Sequence, residues 1–189
     1  CYLQGTLRFM PNKSGPNPRP YADVEEAIDR YLKEAKQPEI LNTGELSDSL
    51  MWERTGSALS RKVIPKFRGS KSKILVVTKL DWVDSLLELD EELRGRTIAS
   101  FSINSEAVAK RWEADAPSPQ RRLEAARRLF EAGFEVRVRI DPIVPYPEGN
   151  WFKGYASLID EMFSKMMPER LTLGSLRGLQ SSIVNSKDR

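Results

Sequence analysis

Apolar and polar positions along the chain follow two periods, and the order of those periods predicts a fold. Val24, Ala27, Ile28, Tyr31, Leu32 and Ala35 recur at helical spacing, one buried stripe, with Asp23 and Glu26 as a D-x-x-E box at its start. Residues 39–43 read as a short strand ending at Gly44. Residues 73–79 (KILVVTK) form a β-branched apolar run, the mark of a strand buried on both faces. A short helix over 82–89, a strand over 97–104 (TIASFSIN) and a helix over 105–112 follow. Ser118-Pro119 pairs an N-cap with proline at the first helical position; Leu123, Ala126, Leu129 and Phe130 give the buried face, and Gly133 is the stop. Residues 134–140 (FEVRVRI) alternate strictly, 141–150 are a proline-rich loop, 151–166 a helix and 169–175 the last strand.

Strand and helix alternate, with connections long enough for parallel crossovers, which predicts an α/β chain forming one open (β/α) barrel domain over 1–189. The chain opens in a loop (PNKSGPNPRP) and a helix, so a first strand is expected upstream. Strand parity puts Ser100, Ser102 and Asn104 on one face and Ala99, Phe101 and Ile103 on the other. It likewise separates Arg137, Arg139 and Asp141 from Val136, Val138 and Ile140. Outer barrel faces pack on helices, so the polar set is expected to point inward, a surface suited to a polar, anionic ligand. The competing reading places both arginines on the solvated face of an edge strand. Ligands of parallel barrels lie at the C-terminal strand ends. Those ends deliver Glu45, Ser47 and Asp48, then Lys79 and Asp81, then Ser102 and Asn104, then Asp141, then Ser175 and Arg177. Glu113 and Arg121, in the loop over 113–122, either reach over the mouth or are solvated.

Composition narrows the chemistry. Hydrophobic residues are 40% and charged residues 30% of the chain, which is globular usage. No run approaches the roughly 18 apolar residues that span a bilayer. A single cysteine excludes an internal disulfide, and with no visible signal peptide the expectation is a cytoplasmic protein without a membrane partner. The absence of histidine removes the commonest general base and zinc ligand, so a hydrolase on this barrel is the weakest reading. A net charge of +3 permits a nucleic-acid partner without arguing for one. By itself, Cys1 is a small hydrophobe.

Several segments, taken in order, change the reading of Cys1. CYLQGTL at the start, SDSL after the second strand (the first being the one expected upstream), VVTKLDWVDSLL, SFSINSE and APSPQRRLEAARRLFEAGF together resemble the spore photoproduct lyase family of radical S-adenosylmethionine (SAM) enzymes. The resemblance runs from Cys1 to about Tyr155, with a weaker echo in TLGSLR. It implies a partial (β/α)6-type radical SAM barrel lacking its first strand, with further N- and C-terminal parts outside these residues. The family reads C-x3-C-x2-C followed by Tyr-Leu-Gln, so Cys1 is implied to be the third ligand of a [4Fe–4S] cluster, the other two lying upstream. Tyr2 matches a tyrosine that relays a hydrogen atom or electron. Ser47, Lys79 and Ser102 match SAM contacts at successive strand ends, and Asp141 begins a segment lining the adenine end. The implied partners are SAM, DNA and an electron donor such as flavodoxin or ferredoxin.

The match breaks at one informative place. Photoproduct lyases carry a C-T-S-D run whose thiol gives a hydrogen atom to the repaired thymine; here the run is Glu45-Leu46-Ser47-Asp48. A carboxylate has no weak bond to hydrogen to replace it. Three functions therefore stand: a lyase repairing a DNA photoproduct, a radical SAM enzyme with another substrate, and a nucleotide-binding barrel without catalysis.

Overall fold

The computed structural model describes residues 20–44, 47–113 and 115–175. Cys1, Tyr2, Glu45 and Arg177 lie outside the described residues. In chain order the elements are α1 (Tyr21–Glu34), β1 (Ile40–Asn42), α2 (Leu59–Lys62), a 3-10 turn (Ile64–Phe67), β2 (Lys73–Thr78), α3 (Asp84–Leu87), α4 (Glu91–Arg96), β3 (Thr97–Ser102), α5 (Glu106–Trp112), α6 (Pro119–Glu131), β4 (Glu135–Ile143), α7 (Trp151–Lys165) and β5 (Arg170–Ser175). The five strands make one sheet in the order β1-β2-β3-β4-β5. Every neighbouring pair is parallel, and the sheet curls into a half-barrel with helices on its outer face. This is the α/β partial barrel that the periodicity predicts.

The outer face is built as strand parity requires. Ile74, Val76, Phe101, Val136, Val138 and Ile140 are all buried, together with Leu86, Leu93, Val108, Leu123, Leu129 and Met162 from the helices. Each such side chain contributes roughly 1.5–3 kcal/mol relative to exposure, so this layer fixes which way every strand faces. On the concave face the register sets Ser100 beside Arg137 and Ser102 beside Arg139. β4 lies between β3 and β5, so the edge-strand reading of the arginines is excluded. Arg137 donates to Glu135 at 2.7 Å and to Glu169 at 2.6 Å, while Lys73 reaches across from β2 to Glu135 at 2.7 Å. This ion chain crosses the N-terminal half of the concave face and gives its half-buried arginine counter-charges.

Three local expectations are corrected. The first helix starts at Tyr21, two residues before Asp23, with Pro20 as its N-cap and no side-chain cap. Asp23 instead stands in the first turn, where its charge meets the positive helix end. The helix expected over 82–89 is a single turn, α3, because Asp90 caps a second helix, α4, through the Leu93 N–H at 3.1 Å. β4 runs on through Asp141 and Pro142 to Ile143, where a loop was expected. Proline has no N–H to give a ladder, but its place falls within the register shift between Ile140 and Ile143, where pairing is already interrupted. The start of α6 is as expected: Ser118 accepts from the Arg121 N–H, and Gly133 takes φ +88° just past its end. Among the described residues no helix is long and apolar enough to cross a membrane.

Candidate functional site

The C-terminal strand ends are tied to one another by side chains. Beyond β1, Ser49 bridges to β2 with both its backbone N–H (3.0 Å to the Val77 carbonyl) and its hydroxyl (2.9 Å from the Val77 N–H). Asp48 accepts from the Thr78 hydroxyl at 2.8 Å, from the Leu50 N–H at 2.9 Å and from the Lys79 N–H at 2.6 Å. Ser47, exposed, therefore rides on a turn fixed to the end of β2. Gly44 is what lets this turn close: a Cβ there would stand 2.5 Å from the Val77 Cβ and 2.9 Å from its carbonyl oxygen.

From the end of β2 the network continues sideways. The Lys79 ammonium pairs with Glu113, whose other oxygen accepts from Arg122 at 2.7 Å. Arg122 is fully buried; its Nε donates to the Pro117 carbonyl at 2.7 Å and its Nη1 also to the Ser102 carbonyl at 3.0 Å. Lys79 and Ser102, both expected to face a ligand, are thus joined through Glu113 and Arg122. Arg122 itself is missed by sequence reading, which looks for function in loops. Its signal is there nonetheless, an arginine at helical spacing from Ala126 and Leu129 on the buried face of α6. Arg121 pairs with Asp81, the other acidic or basic residue delivered beyond β2, at 2.6 Å.

The ends of β3 and β4 are knotted by Asn104. Its amide donates to the Pro142 carbonyl at 3.0 Å, and its oxygen accepts from the Tyr155 hydroxyl at 2.6 Å. Tyr155 in turn accepts from the Val144 N–H at 2.8 Å. Burial raises the Tyr155 phenol above its ordinary value, so it stays protonated as the donor that Asn104 needs. Asp141, with its side chain 15% exposed, lies 3.8 Å from Arg139, the register neighbour of Ser102. A Cβ on Gly174 would stand 2.3 Å from an Asp141 oxygen, so glycine on β5 makes the room for that carboxylate.

Burial works to raise the Glu113 carboxyl, but hydrogen bonds and charge from Lys79 and Arg122 outweigh it and hold the group below its ordinary value of 4.5. Glu135 is held low in the same way by Lys73 and Arg137. For both, the folded pKa lies below the unfolded one, so the stabilisation is complete above about pH 4.5 and is lost as pH falls through the folded values. Thermal midpoints measured between about pH 6 and 3 should therefore fall steeply on the acid side, and less steeply in Glu113→Gln. An unchanged acid slope in that variant would remove Glu113 from the linkage.

The strand ends offer hydroxyls at Ser47 and Ser102, an ammonium at Lys79 and a carboxylate at Asp141, a mixed set of donors and acceptors with the chemistry to meet a zwitterionic ligand such as SAM. The residues do not fit an iron–sulfur cluster. Among the described residues no group of His, Cys, Asp or Glu could hold a metal ion. The sequence's one cysteine supplies one thiolate where such clusters take several.

Comparison with known proteins agrees with the α/β partial barrel. The family model described as spore photoproduct lyase matches residues 1–176. The spore photoproduct lyase of Bacillus subtilis (strain 168) is 32% identical over 167 residues, covering 86% of this chain and 46% of that protein. A solved spore photoproduct lyase complexed with dinucleoside spore photoproduct superposes with a TM-score of 0.73 at 29% identity, over 92% of this chain and 50% of the other. A mutant with bound AdoMet and dinucleoside spore photoproduct gives a TM-score of 0.77 at 27% identity, over 97% of this chain and 54% of the other. The chain spans about half the length of these relatives. On the family match over residues 1–176, the chain belongs to the spore photoproduct lyase family.

Proposed function

We propose that this chain is the SAM-binding half-barrel of a radical SAM enzyme, one that reductively cleaves SAM at a [4Fe–4S] cluster. The observation that carries the reading is the Asp48–Lys79–Glu113–Arg122–Ser102 network, which joins three strand ends at the mouth where a parallel barrel takes its ligand. In this reading Lys79 receives the SAM carboxylate or ribose, Ser47 and Ser102 offer hydroxyls on either side, and Asp141 faces the adenine end. Cys1 is one cluster thiolate and Tyr2 the relay tyrosine. The 189 residues hold one cysteine, so the cluster would draw its other thiolates from outside them. Flavodoxin or ferredoxin is the electron donor of this reading, and the cytoplasm its place of work.

The substrate follows the relative that binds dinucleoside spore photoproduct, with DNA as the macromolecular partner. Glu45, standing where the family's donor thiol is expected, favours a second reading in which the radical acts on another substrate. Replacing Lys79 by alanine should weaken SAM binding roughly tenfold or more, since a charge-assisted contact is lost. Calorimetric titration checks this, and an unchanged affinity removes Lys79 from the site. Reconstituting the full-length protein, with the further thiolates that this reading requires, with iron and sulfide, reducing it and following 5′-deoxyadenosine tests the reaction class. Formation of 5′-deoxyadenosine without reversion of dinucleoside spore photoproduct selects the second reading, and its absence returns the barrel to nucleotide binding without catalysis.

A further inference from the structure

We infer that Glu113 is a positioning residue for SAM, holding the Lys79 ammonium at the barrel mouth against a fixed anchor, the buried Arg122. The inference rests on the reading of Lys79 as a SAM contact and adds how that lysine is kept in place. Lysine is a poor fixed donor. Its ammonium sits on a flexible four-carbon stem whose rotamer freedom binding must remove. Here the stem leaves a backbone already held, the Lys79 N–H lying 2.6 Å from Asp48. The far end is held by Glu113.

Glu113 can do this because it is not free to move. It caps the end of α5, its N–H bonded to the Ala109 carbonyl at 2.8 Å. Its second oxygen is taken by Arg122 at 2.7 Å. Arg122 is fully buried and ties itself to the Pro117 and Ser102 carbonyls at 2.7 and 3.0 Å. The carboxylate side chain is 11% exposed, whereas that of Lys79 is 46% exposed. The flexible partner is therefore the lysine, and it comes to the rigid one. An ammonium has three donors, and pairing with Glu113 leaves others to face the mouth. Since Arg122 also holds the Ser102 carbonyl, the same anchor sets the spacing between the β2 and β3 ends.

The test is calorimetric titration of SAM into the full-length protein with its cluster assembled, comparing wild type, Glu113→Asp, Glu113→Gln, Lys79→Ala and the double variant Lys79→Ala/Glu113→Asp. Aspartate keeps a counter-charge for Arg122 but is one methylene too short to span to Lys79 as well, so this variant is expected to fold. Either Glu113 variant should lose about tenfold in affinity in the wild-type background. With Lys79 already alanine, adding Glu113→Asp should cost less than about twofold, because a positioning residue acts only through the group it positions. A merely structural carboxylate would cost the same in both backgrounds, and that result overturns the inference. So does an unchanged or tighter affinity in Glu113→Asp, which would show that Glu113 competes with the ligand for Lys79. Loss of affinity in Lys79→Ala with none in Glu113→Asp leaves the SAM reading standing and sinks the positioning role alone. No SAM binding by wild type sinks both.

Discussion

Truncating Arg122 to alanine should destabilise the protein by about 3–5 kcal/mol, the range for breaking a buried ion pair and for opening a core cavity. The side chain has no exposed surface, and it supplies hydrogen bonds to the Pro117 and Ser102 carbonyls and to Glu113. Removing it leaves those carbonyls without their donor. It also leaves Glu113, 11% exposed, with Lys79 as its remaining ion-pair partner among the described residues. Urea unfolding at neutral pH measures the loss. Arg122→Met separates the causes, since methionine refills much of the volume and restores none of the polar contacts. The double variant Arg122→Met/Glu113→Leu should recover part of the stability, because an apolar replacement of a buried pair is often tolerated. A loss below about 1 kcal/mol in Arg122→Ala would mean that water replaces the arginine and that the network is not a buried one.

The second large effect is expected at Gly44. A Cβ there would lie 2.5 Å from the Val77 Cβ, 2.7 Å from the Ser49 hydroxyl and 2.9 Å from the Val77 carbonyl. The Ser49 rotamer can yield, but the β2 backbone cannot move without pulling on its ladder to β3. Gly44→Ala should therefore cost about 1–3 kcal/mol, as overpacking does. Its consequence for function is sharper than its cost. The turn carrying Ser47 and Asp48 closes on β2 through the Ser49 bonds, and Asp48 holds the Lys79 N–H. SAM affinity should fall in the folded variant, whereas a destabilised protein with unchanged affinity would show that the turn carries no ligand contact. By contrast, alanine at Gly56, where a Cβ meets nothing within 4 Å, is the matched control and should change neither quantity.

Much of the fold was legible because its drive is periodic. Residues 73–79, 97–104 and 134–140 have the length, β-branching and alternation of strands, and each forms one, trimmed or extended by a few residues. Where cap chemistry decided a boundary, reading depended on finding the right residue. Ser118 and Gly133 were readable and bound α6, whereas Asp23 looked like a cap and is a first-turn acid. The end of β4 was not readable, since proline usually breaks a strand and here falls where the ladder is already shifted.

For the site, order along the chain was enough to name the strand-end residues, because parity and parallel topology dictate which side chains arrive at the mouth. Ser47, Lys79, Ser102 and Asp141 are so placed by one-dimensional rules together with a family resemblance. What those rules leave out is pairing between residues far apart in sequence. Lys79 meets Glu113 across 34 positions, Asn104 meets Tyr155 across 51 and Pro142 across 38, and Glu135 meets Lys73 across 62. A charge gains its partner only when tertiary packing brings one and excludes water. Hence Glu113, readable only as a charge over or beside the mouth, becomes a half-buried link, and Arg122, a helix arginine like its neighbours in sequence, becomes the buried cation that holds it. Apolar periodicity by itself determined the half-barrel and its polar concave face. Burial, which makes an unpaired charge costly, decided which of the polar residues are bound to one another and which are left facing the mouth.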